Sequence, residues 1–265
     1  MSIIETTVIV FGTTGIACGA LLAIASRVFA IKEDPRIGKV CELLPGANCG
    51  GCGYAGCADY AKAIIMNDAP INLCTVGGAE TVKKLSTFLG KTAEAAERKV
   101  AIVLCRGDEA NAPKNSIYNG IVDCSAANLV SGGNKKCRYG CLGYGSCARV
   151  CPTGAIEIKD GIAVVHPELC IGCGACVKVC PRKIIKLIPA SRKLHVFCSS
   201  LDKGPAVKKV CKVGCIGCSL CSKLAPDNAI VMSGALAVVD YSKNIDDEKA
   251  TILEQKCPGK CIRKT

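Results

Sequence analysis

The chain contains no tryptophan, and aromatic residues make up 4% of its 265 residues. Its basic residues do not gather in one dense helix. Proteins hold nucleic acids with stacking aromatics and basic patches, so we exclude nucleic acid as a partner. The two histidines, His166 and His195, are interpreted as ordinary side chains. We also find no G-x-G-x-x-G or P-loop between a strand and a helix, and therefore expect no catalytic residue and no nucleotide site of its own.

Cysteine, by contrast, is abundant, with 23 residues. Such a content indicates a disulfide or metal scaffold. Disulfide scaffolds are typical of short secreted chains, whereas this chain is long and we expect no cleavable signal at its start. The clustered C-x2-C spacings favour metal ligation. Zinc is the alternative metal, because it also takes four thiolates.

Two iron–sulfur motifs follow one another in the middle of the chain. Residues 170–181 read C-x2-C-x2-C-x3-C-P, the spacing of bacterial-type [4Fe–4S] ferredoxins, in which the fourth cysteine ligates the other cluster of the pair. Residues 137–152 are a looser version, because Tyr144 stands at the middle-ligand position, and Cys137 is the best replacement. We predict cluster A at Cys137, Cys141, Cys147 and Cys180, and cluster B at Cys170, Cys173, Cys176 and Cys151.

An apolar segment near the start predicts a membrane anchor. Residues 6–26 carry no charge and are long enough to cross a hydrocarbon core of roughly 30 Å as a helix. Glu5 precedes the segment, and the positive charges that follow it are Arg27, Lys32, Arg36 and Lys39. The positive-inside rule therefore predicts that the rest of the chain is cytoplasmic. A signal peptide is the alternative, but there the positive charges precede the apolar stretch.

A glycine-rich cysteine module comes next. Residues 49–74 read C-x2-C-x4-C-x16-C, with glycines that allow tight wrapping of the backbone and direct N–H groups toward sulfur. We predict a [4Fe–4S] cluster bound by Cys49, Cys52, Cys57 and Cys74.

The C-terminal part repeats after 74 residues. Cys141 recurs as Cys215, and Ile162–Val165 matches Leu236–Val239. The second copy is eroded, because Ala225 replaces its crossing cysteine. Its second cysteine triplet has become Asn244, Asp247 and Ala250. One cluster is retained, for which we predict the ligands Cys215, Cys218, Cys221 and Cys257, with Cys211 and Cys261 as alternatives.

The remaining cysteines leave two interpretations open. Cys18 and Cys41 are most simply packing or spare thiols. Cys105, Cys124 and Cys198 are either structural thiols or, together with Cys211, ligands of a further cluster.

These observations predict an α+β fold with a single N-terminal transmembrane helix, a small [4Fe–4S] module and tandem bacterial-type 2[4Fe–4S] ferredoxin-like units, the last one degenerate. Residues 99–105 are predicted to form a buried strand. The predicted domains are the anchor (1–30), the N-terminal [4Fe–4S] domain (31–98), a connecting segment (99–130), the 2[4Fe–4S] ferredoxin domain (131–192) and the degenerate unit (193–265).

The formal net charge of +12 omits the clusters. Each ligated [4Fe–4S] centre adds about −2, so four clusters leave a mildly basic protein. A basic surface is either simply solvated or attracts an acidic protein or anionic lipid.

With its anchor, the motif LLPGANCGGCGYAGC with Cys74, and the motifs CRYGCLGYGSCARVCPTGAI and CIGCGACVKVCP, essentially the whole chain resembles the family of B subunits of Rnf complexes. The resemblance implies a cytoplasm-facing component, on the plasma membrane, of an ion-translocating (Na⁺ or H⁺) ferredoxin:NAD⁺ oxidoreductase. It further implies that this component accepts electrons from reduced ferredoxin, an acidic protein, and relays them to membrane subunits, while NAD is bound elsewhere in the complex.

Two other functions remain open at this stage. The chain could be the electron-input subunit of a different membrane oxidoreductase, such as a hydrogenase. Alternatively, it is a non-redox scaffold in which metal only staples the fold.

Overall fold

The computed structural model describes residues 2–28, 34–94 and 97–265. Helix α1 (Ile3–Val28) opens the chain. Its segment Ile3–Arg27 has a mean hydropathy of 2.2, and its large side chains, such as Phe11 and Leu22, are exposed. This is the predicted anchor, long enough for a membrane span of roughly 30 Å at about 1.5 Å per residue. Lys32 and the predicted boundary after residue 30 lie outside the described residues.

Three helices form the N-terminal domain: α2 (Pro35–Leu43), α3 (Cys57–Met66) and α4 (Gly78–Leu89). Val40, Ile64 and Leu85 are buried between them. The Tyr60 hydroxyl donates to the Pro70 carbonyl at 2.6 Å and accepts the Leu73 N–H at 3.1 Å. This buried tyrosine therefore fastens the segment that leads into Cys74.

The first ferredoxin unit contains two antiparallel strand pairs. The outer pair is β1 (Lys99–Val103) with β4 (Ile185–Pro189), and the inner pair is β2 (Ile156–Lys159) with β3 (Ile162–Val165). Its helices are short: α5 (Cys124–Leu129), α6 (Ser146–Arg149) and α7 (Ala175–Val179). The predicted strand at residue 99 exists, but it pairs with the last strand of this unit. The unit therefore begins at Lys99, not at residue 131, and residues 104–136 are an insertion within it.

The second ferredoxin unit has the same strand order. Its outer pair is β5 (Leu194–Val196) with β8 (Ile262–Lys264), and its inner pair is β6 (Ile230–Ser233) with β7 (Leu236–Val239). Its helices are α8 (Gly204–Val210), α9 (Leu220–Leu224), a 3₁₀ turn (Pro226–Asn228) and α10 (Asp247–Lys256). α10 takes the place of the second cysteine loop and α7. The predicted fold of tandem units with a degenerate last copy is confirmed.

A glycine repeated in both units lets the first cysteine loop pack against the inner hairpin. Gly143 has a φ of 78°, and a side-chain carbon there would lie 2.4 Å from the Gly161 carbonyl oxygen. Gly217, 74 residues later, has a φ of 70° and would meet the Ala235 carbonyl at 2.9 Å. Both positions need a left-handed backbone and a close approach, which glycine alone permits without strain.

Candidate metal centres

The N-terminal cysteine loop lies between α2 and α3. Its turn uses glycines with positive φ, and the Asn48 side chain accepts the N–H of Cys57 at 2.8 Å. The Gly77 N–H donates to the Cys74 sulfur at 3.3 Å. Cys52 and Cys57 lie close enough to Cys74 that a negative charge on either raises its pKa, although burial is the larger cause. The loop thus brings these three predicted ligands together, with Cys49 at its start.

The predicted cluster B ligands line one cavity in the first ferredoxin unit. Its apolar wall comes from Ile156, Leu187 and their neighbours. The Ala101 N–H, from β1, donates to the Cys170 sulfur at 3.3 Å. The cysteines of this cavity are Cys151, Cys170, Cys173 and Cys176.

The cluster A cavity differs from the prediction by one ligand. It contains the predicted Cys141, Cys147 and Cys180, but Cys124 stands in it instead of Cys137. Cys137 lines another cavity. Burial raises the pKa of Cys147 to about 12, and nearby Cys141 and Cys124 add to the increase. The thiol that completes this cavity in place of the one missing at Tyr144 therefore comes from the insertion.

Helix α5 explains why Cys124 reaches this cavity. Asp123 caps the helix and accepts from Ser146 Oγ at 2.7 Å and from Arg149 at 2.9 Å. The Cys124 N–H donates to the same Ser146 hydroxyl at 2.7 Å. These bonds tie the start of α5 to the start of α6, the helix that carries Cys147. The signal in the sequence that singled out Cys124 was its recurrence as Cys198. That recurrence did not indicate that Cys124 lines the cluster A cavity.

The second ferredoxin unit holds the predicted quartet in one cavity, with one additional thiol. The cavity is lined by Cys215, Cys218, Cys221, Cys257 and Cys261. The Cys257 and Cys261 sulfurs are 3.8 Å apart. Hydrogen bonds with Cys261 lower the pKa of Cys215 to about 6 and that of Cys257 to about 5, and they raise the pKa of Cys261 itself. Cys261 therefore lies beside two of the predicted ligands, Cys215 and Cys257.

The chemistry of these cavities fits iron–sulfur clusters. Burial raises the pKa of Cys141 and Cys176 to about 11, so four thiolates could share each cavity only with a compensating positive centre. Within the described part of the chain, no group of three His, Cys, Asp or Glu side chains is tight enough for a single metal ion. Tetrahedral zinc would need sulfurs about 3.8 Å apart, whereas a cubane spreads its four sulfurs over different irons.

The N-terminal loop touches the first ferredoxin unit. A side-chain carbon at Gly51 would lie 3.2 Å from the Cys173 carbonyl oxygen and 3.3 Å from its Cα. Cys173 lines the cluster B cavity, and Cys147 of the cluster A cavity is close enough to Cys176 for their charges to interact. The N-terminal loop, the cluster B cavity and the cluster A cavity therefore follow one another in space.

This fold and its cysteine cavities define an iron–sulfur protein of the bacterial ferredoxin type, with an N-terminal helix that is long and apolar enough to span a membrane. Two family models agree: "Putative Fe-S cluster" matches residues 44–76, and "4Fe-4S dicluster domain" matches residues 136–184.

Three relatives match over nearly the whole chain, and each is the B subunit of an oxidoreductase complex. The one from the ion-translocating oxidoreductase complex of Methanosarcina acetivorans is 41% identical over 98% of both chains. The one from the proton-translocating ferredoxin:NAD(+) oxidoreductase complex of Clostridium ljungdahlii is 44% identical over 96% of this chain and 90% of its own. The one from the Na(+)-translocating complex of Acetobacterium woodii is 42% identical over 96% and 75%, respectively. The chain belongs to this family of B subunits, and the resemblance read from its motifs is confirmed.

Proposed function

We propose that the chain is the electron-input subunit of an ion-translocating ferredoxin:NAD⁺ oxidoreductase complex. It accepts electrons from reduced ferredoxin on the cytoplasmic side and passes them to membrane-embedded partner subunits. The names of two relatives, from Clostridium and Acetobacterium, support the ferredoxin:NAD⁺ reaction. Those names specify a proton and Na⁺, respectively, at nearly equal identity to this chain, so similarity favours neither ion.

Four cysteine quartets hold the clusters in this proposal. The proposed sets are Cys49, Cys52, Cys57, Cys74; Cys124, Cys141, Cys147, Cys180; Cys151, Cys170, Cys173, Cys176; and Cys215, Cys218, Cys221, Cys257. When bound, each [4Fe–4S] cluster would serve as a one-electron carrier. The chain buries the sulfurs and directs backbone N–H groups at them, as Ala101 does at Cys170 and Ala163 at Cys141. Such hydrogen bonds tune the potential of a cluster.

The observation that carries the proposal is the close succession of these sites. The glycine-rich loop contacts Cys173 at Gly51. Helix α6, which lines the cluster A cavity, packs against α7, which lines the cluster B cavity. A protein that used metal only to staple separate domains would have no need to bring the metal-binding loops of two domains into contact.

Charge supports both the orientation and the donor. Arg27, Arg36 and Lys39 follow the apolar helix and Glu5 precedes it, which favours a cytoplasmic location for the metal centres. The formal charge of +12 remains positive after about −2 for each of four clusters. A basic surface accelerates association with an acidic ferredoxin and does so less at high salt.

The test is anaerobic reduction of the full-length, detergent-solubilised chain by reduced ferredoxin, followed by low-temperature EPR. We expect [4Fe–4S]⁺ signals on mixing, with a rate that falls as salt is raised. Dithionite serves as the chemical control, and the Cys18→Ser variant, whose substitution lies in the membrane helix, as the protein control.

The outcomes separate the alternatives. If dithionite reduces the clusters but ferredoxin does not, ferredoxin is not the direct donor and the proposal fails. If neither reduces iron that is demonstrably bound, the non-redox scaffold is correct. Purification of the intact complex from membranes then distinguishes this complex from a hydrogenase through the proteins that accompany the chain.

A further inference from the structure

Four cysteines outside the sites described above line a fifth cavity. They are Cys105, Cys137, Cys198 and Cys211, and the rest of the wall is small or apolar, including Ala112, Phe197 and Val207. Two of the cysteines belong to the first ferredoxin unit and two to the second. The cavity therefore lies at the junction of the units.

The sulfurs of the two units converge in this cavity. A side-chain carbon at Gly107 would lie 3.4 Å from the Cys211 sulfur and 3.8 Å from the Cys105 sulfur. Cys137 and Cys198 lie in the wall of the same cavity. Four thiolates so close together repel one another unless a positive centre binds them.

The two units contribute these cysteines from equivalent positions. Cys105 follows the end of β1 by two residues, as Cys198 follows the end of β5. Cys137 and Cys211 each lie four residues before the next cysteine in the sequence, Cys141 or Cys215.

Each unit also donates a backbone N–H to a sulfur of this cavity. The Cys141 N–H donates to the Cys105 sulfur at 3.3 Å, and the Ser200 N–H donates to the Cys198 sulfur at 3.5 Å. The site thus takes a pair of cysteines and an N–H donor from each unit. The alignment by 74 residues concealed this arrangement because it matches Cys198 to Cys124, whereas the strands match it to Cys105.

We propose that Cys105, Cys137, Cys198 and Cys211 bind a fifth [4Fe–4S] cluster that joins the two ferredoxin units. A single zinc ion fits less well, because no group of three such side chains in the described residues is tight enough for one ion. The role of this cluster rests on the proposed function. In electron transfer, a centre here would connect the quartet of the second unit with those of the first.

The experiment compares metal content in the full-length, anaerobically purified chain and in two variants, Cys211→Ser and Cys105→Ser, which remove a ligand from either unit. Cys18→Ser is the matched control. We expect about 20 iron atoms per chain for the unsubstituted protein and the control, and about 16 for both variants, because each cubane holds four irons. The [4Fe–4S] area in Mössbauer spectra should fall by about a fifth.

Either of two results overturns the inference: about 16 iron atoms in all four proteins, or one zinc ion per chain that both variants lose. The count for the unsubstituted chain depends on no variant, so it decides the question even if a variant fails to fold. Reduction by ferredoxin is measured on the same samples. A count near 20 without ferredoxin reduction refutes the proposed function alone, and a count near 16 with it refutes only the fifth cluster.

Discussion

Cys176 in the first ferredoxin unit and Leu253 in the second lie at equivalent positions, because each is four residues before the last Cys-Pro pair of its unit. Cys176 lines the cluster B cavity, and Leu253 is buried among Ile230, Ala250 and Ile262. The same part of the fold thus contains a proposed metal site in one unit and an aliphatic core in the other. The comparison shows that the strand framework does not require a second cluster, provided that apolar side chains fill the space.

The helices account for the exchange. In the first unit, α7 has five residues and directly follows two cysteines of its loop, whereas in the second unit the ten-residue α10 replaces both loop and helix. The loss of the crossing cysteine at Ala225 accompanies this change. All four cysteines predicted for one site have gone together, and the four proposed for the other site remain.

The largest expected difference between the units appears on removal of iron. The core of the first unit includes four of its proposed ligands, Cys141, Cys147, Cys170 and Cys176, which would lose their pairing with iron. The core of the second unit includes one proposed ligand, Cys215, and keeps Leu253, Ile230 and Ile262 without iron. We expect hydrogen exchange of the chelator-treated full chain to show lost protection in β2 and β3 and partial protection in α10.

The reference for that measurement is the iron-loaded chain under the same conditions. If β2, β3 and α10 lose protection to the same extent, the aliphatic core does not replace the cluster as a source of stability.

A smaller effect is expected from Leu253→Ala. Truncation of a fully buried leucine leaves a cavity and lowers the free energy of unfolding by about 2–5 kcal/mol; Leu253 is 2% exposed. Urea unfolding of the second unit, followed by exchange of α10 and β8, measures the loss. Gln255→Ala, on an exposed position of the same helix, should have little effect, and cluster signals of the first unit should not change. A similar loss for both variants would contradict the role of Leu253.

The smallest effect concerns pH. Ile102 in the first unit and His195 in the second lie at equivalent positions. Each is three residues before the cysteine that follows the first strand of its unit. His195 is 1% exposed and contacts the hydroxyls of Tyr241 at 3.2 Å and Thr265 at 3.1 Å. Burial lowers the pKa of His195 to about 4.

Because an unfolded histidine has a pKa of about 6.5, the unfolded chain binds a proton between pH 6.5 and 4 that the folded chain does not. The stability of the second unit should therefore decrease by about 2 kcal/mol from pH 7 to pH 5. In His195→Leu the unfolding free energy should lose this pH dependence, whereas His166→Leu, at a half-exposed site, should keep it. If the unfolding free energy of His195→Leu changes with pH as it does in the unsubstituted chain, other groups cause the pH dependence.

Much of this organisation follows from local spacing. Cysteines three residues apart in a glycine-containing loop converge on one side of that loop. The spacings of 170–176 and 215–221 therefore predicted the cysteines that share each cavity. The apolar length of residues 6–26 likewise predicted the anchor helix, and the 74-residue repeat predicted the second unit and the part that is missing from it.

Long-range packing determined the rest. Cys137 is close in sequence to Cys141 and was the natural choice for cluster A, but Cys124, on a helix tied to Ser146 and Arg149 through Asp123, lies in that cavity. β1 belongs to the first unit because it pairs with β4. The sequence did not show this, because β4 follows more than 80 residues later. The quartet at the junction comes from two separate units. Short loops restrict their own cysteines sterically, whereas distant segments meet only where side chains and strands pack, and spacing along the chain carries no information about that.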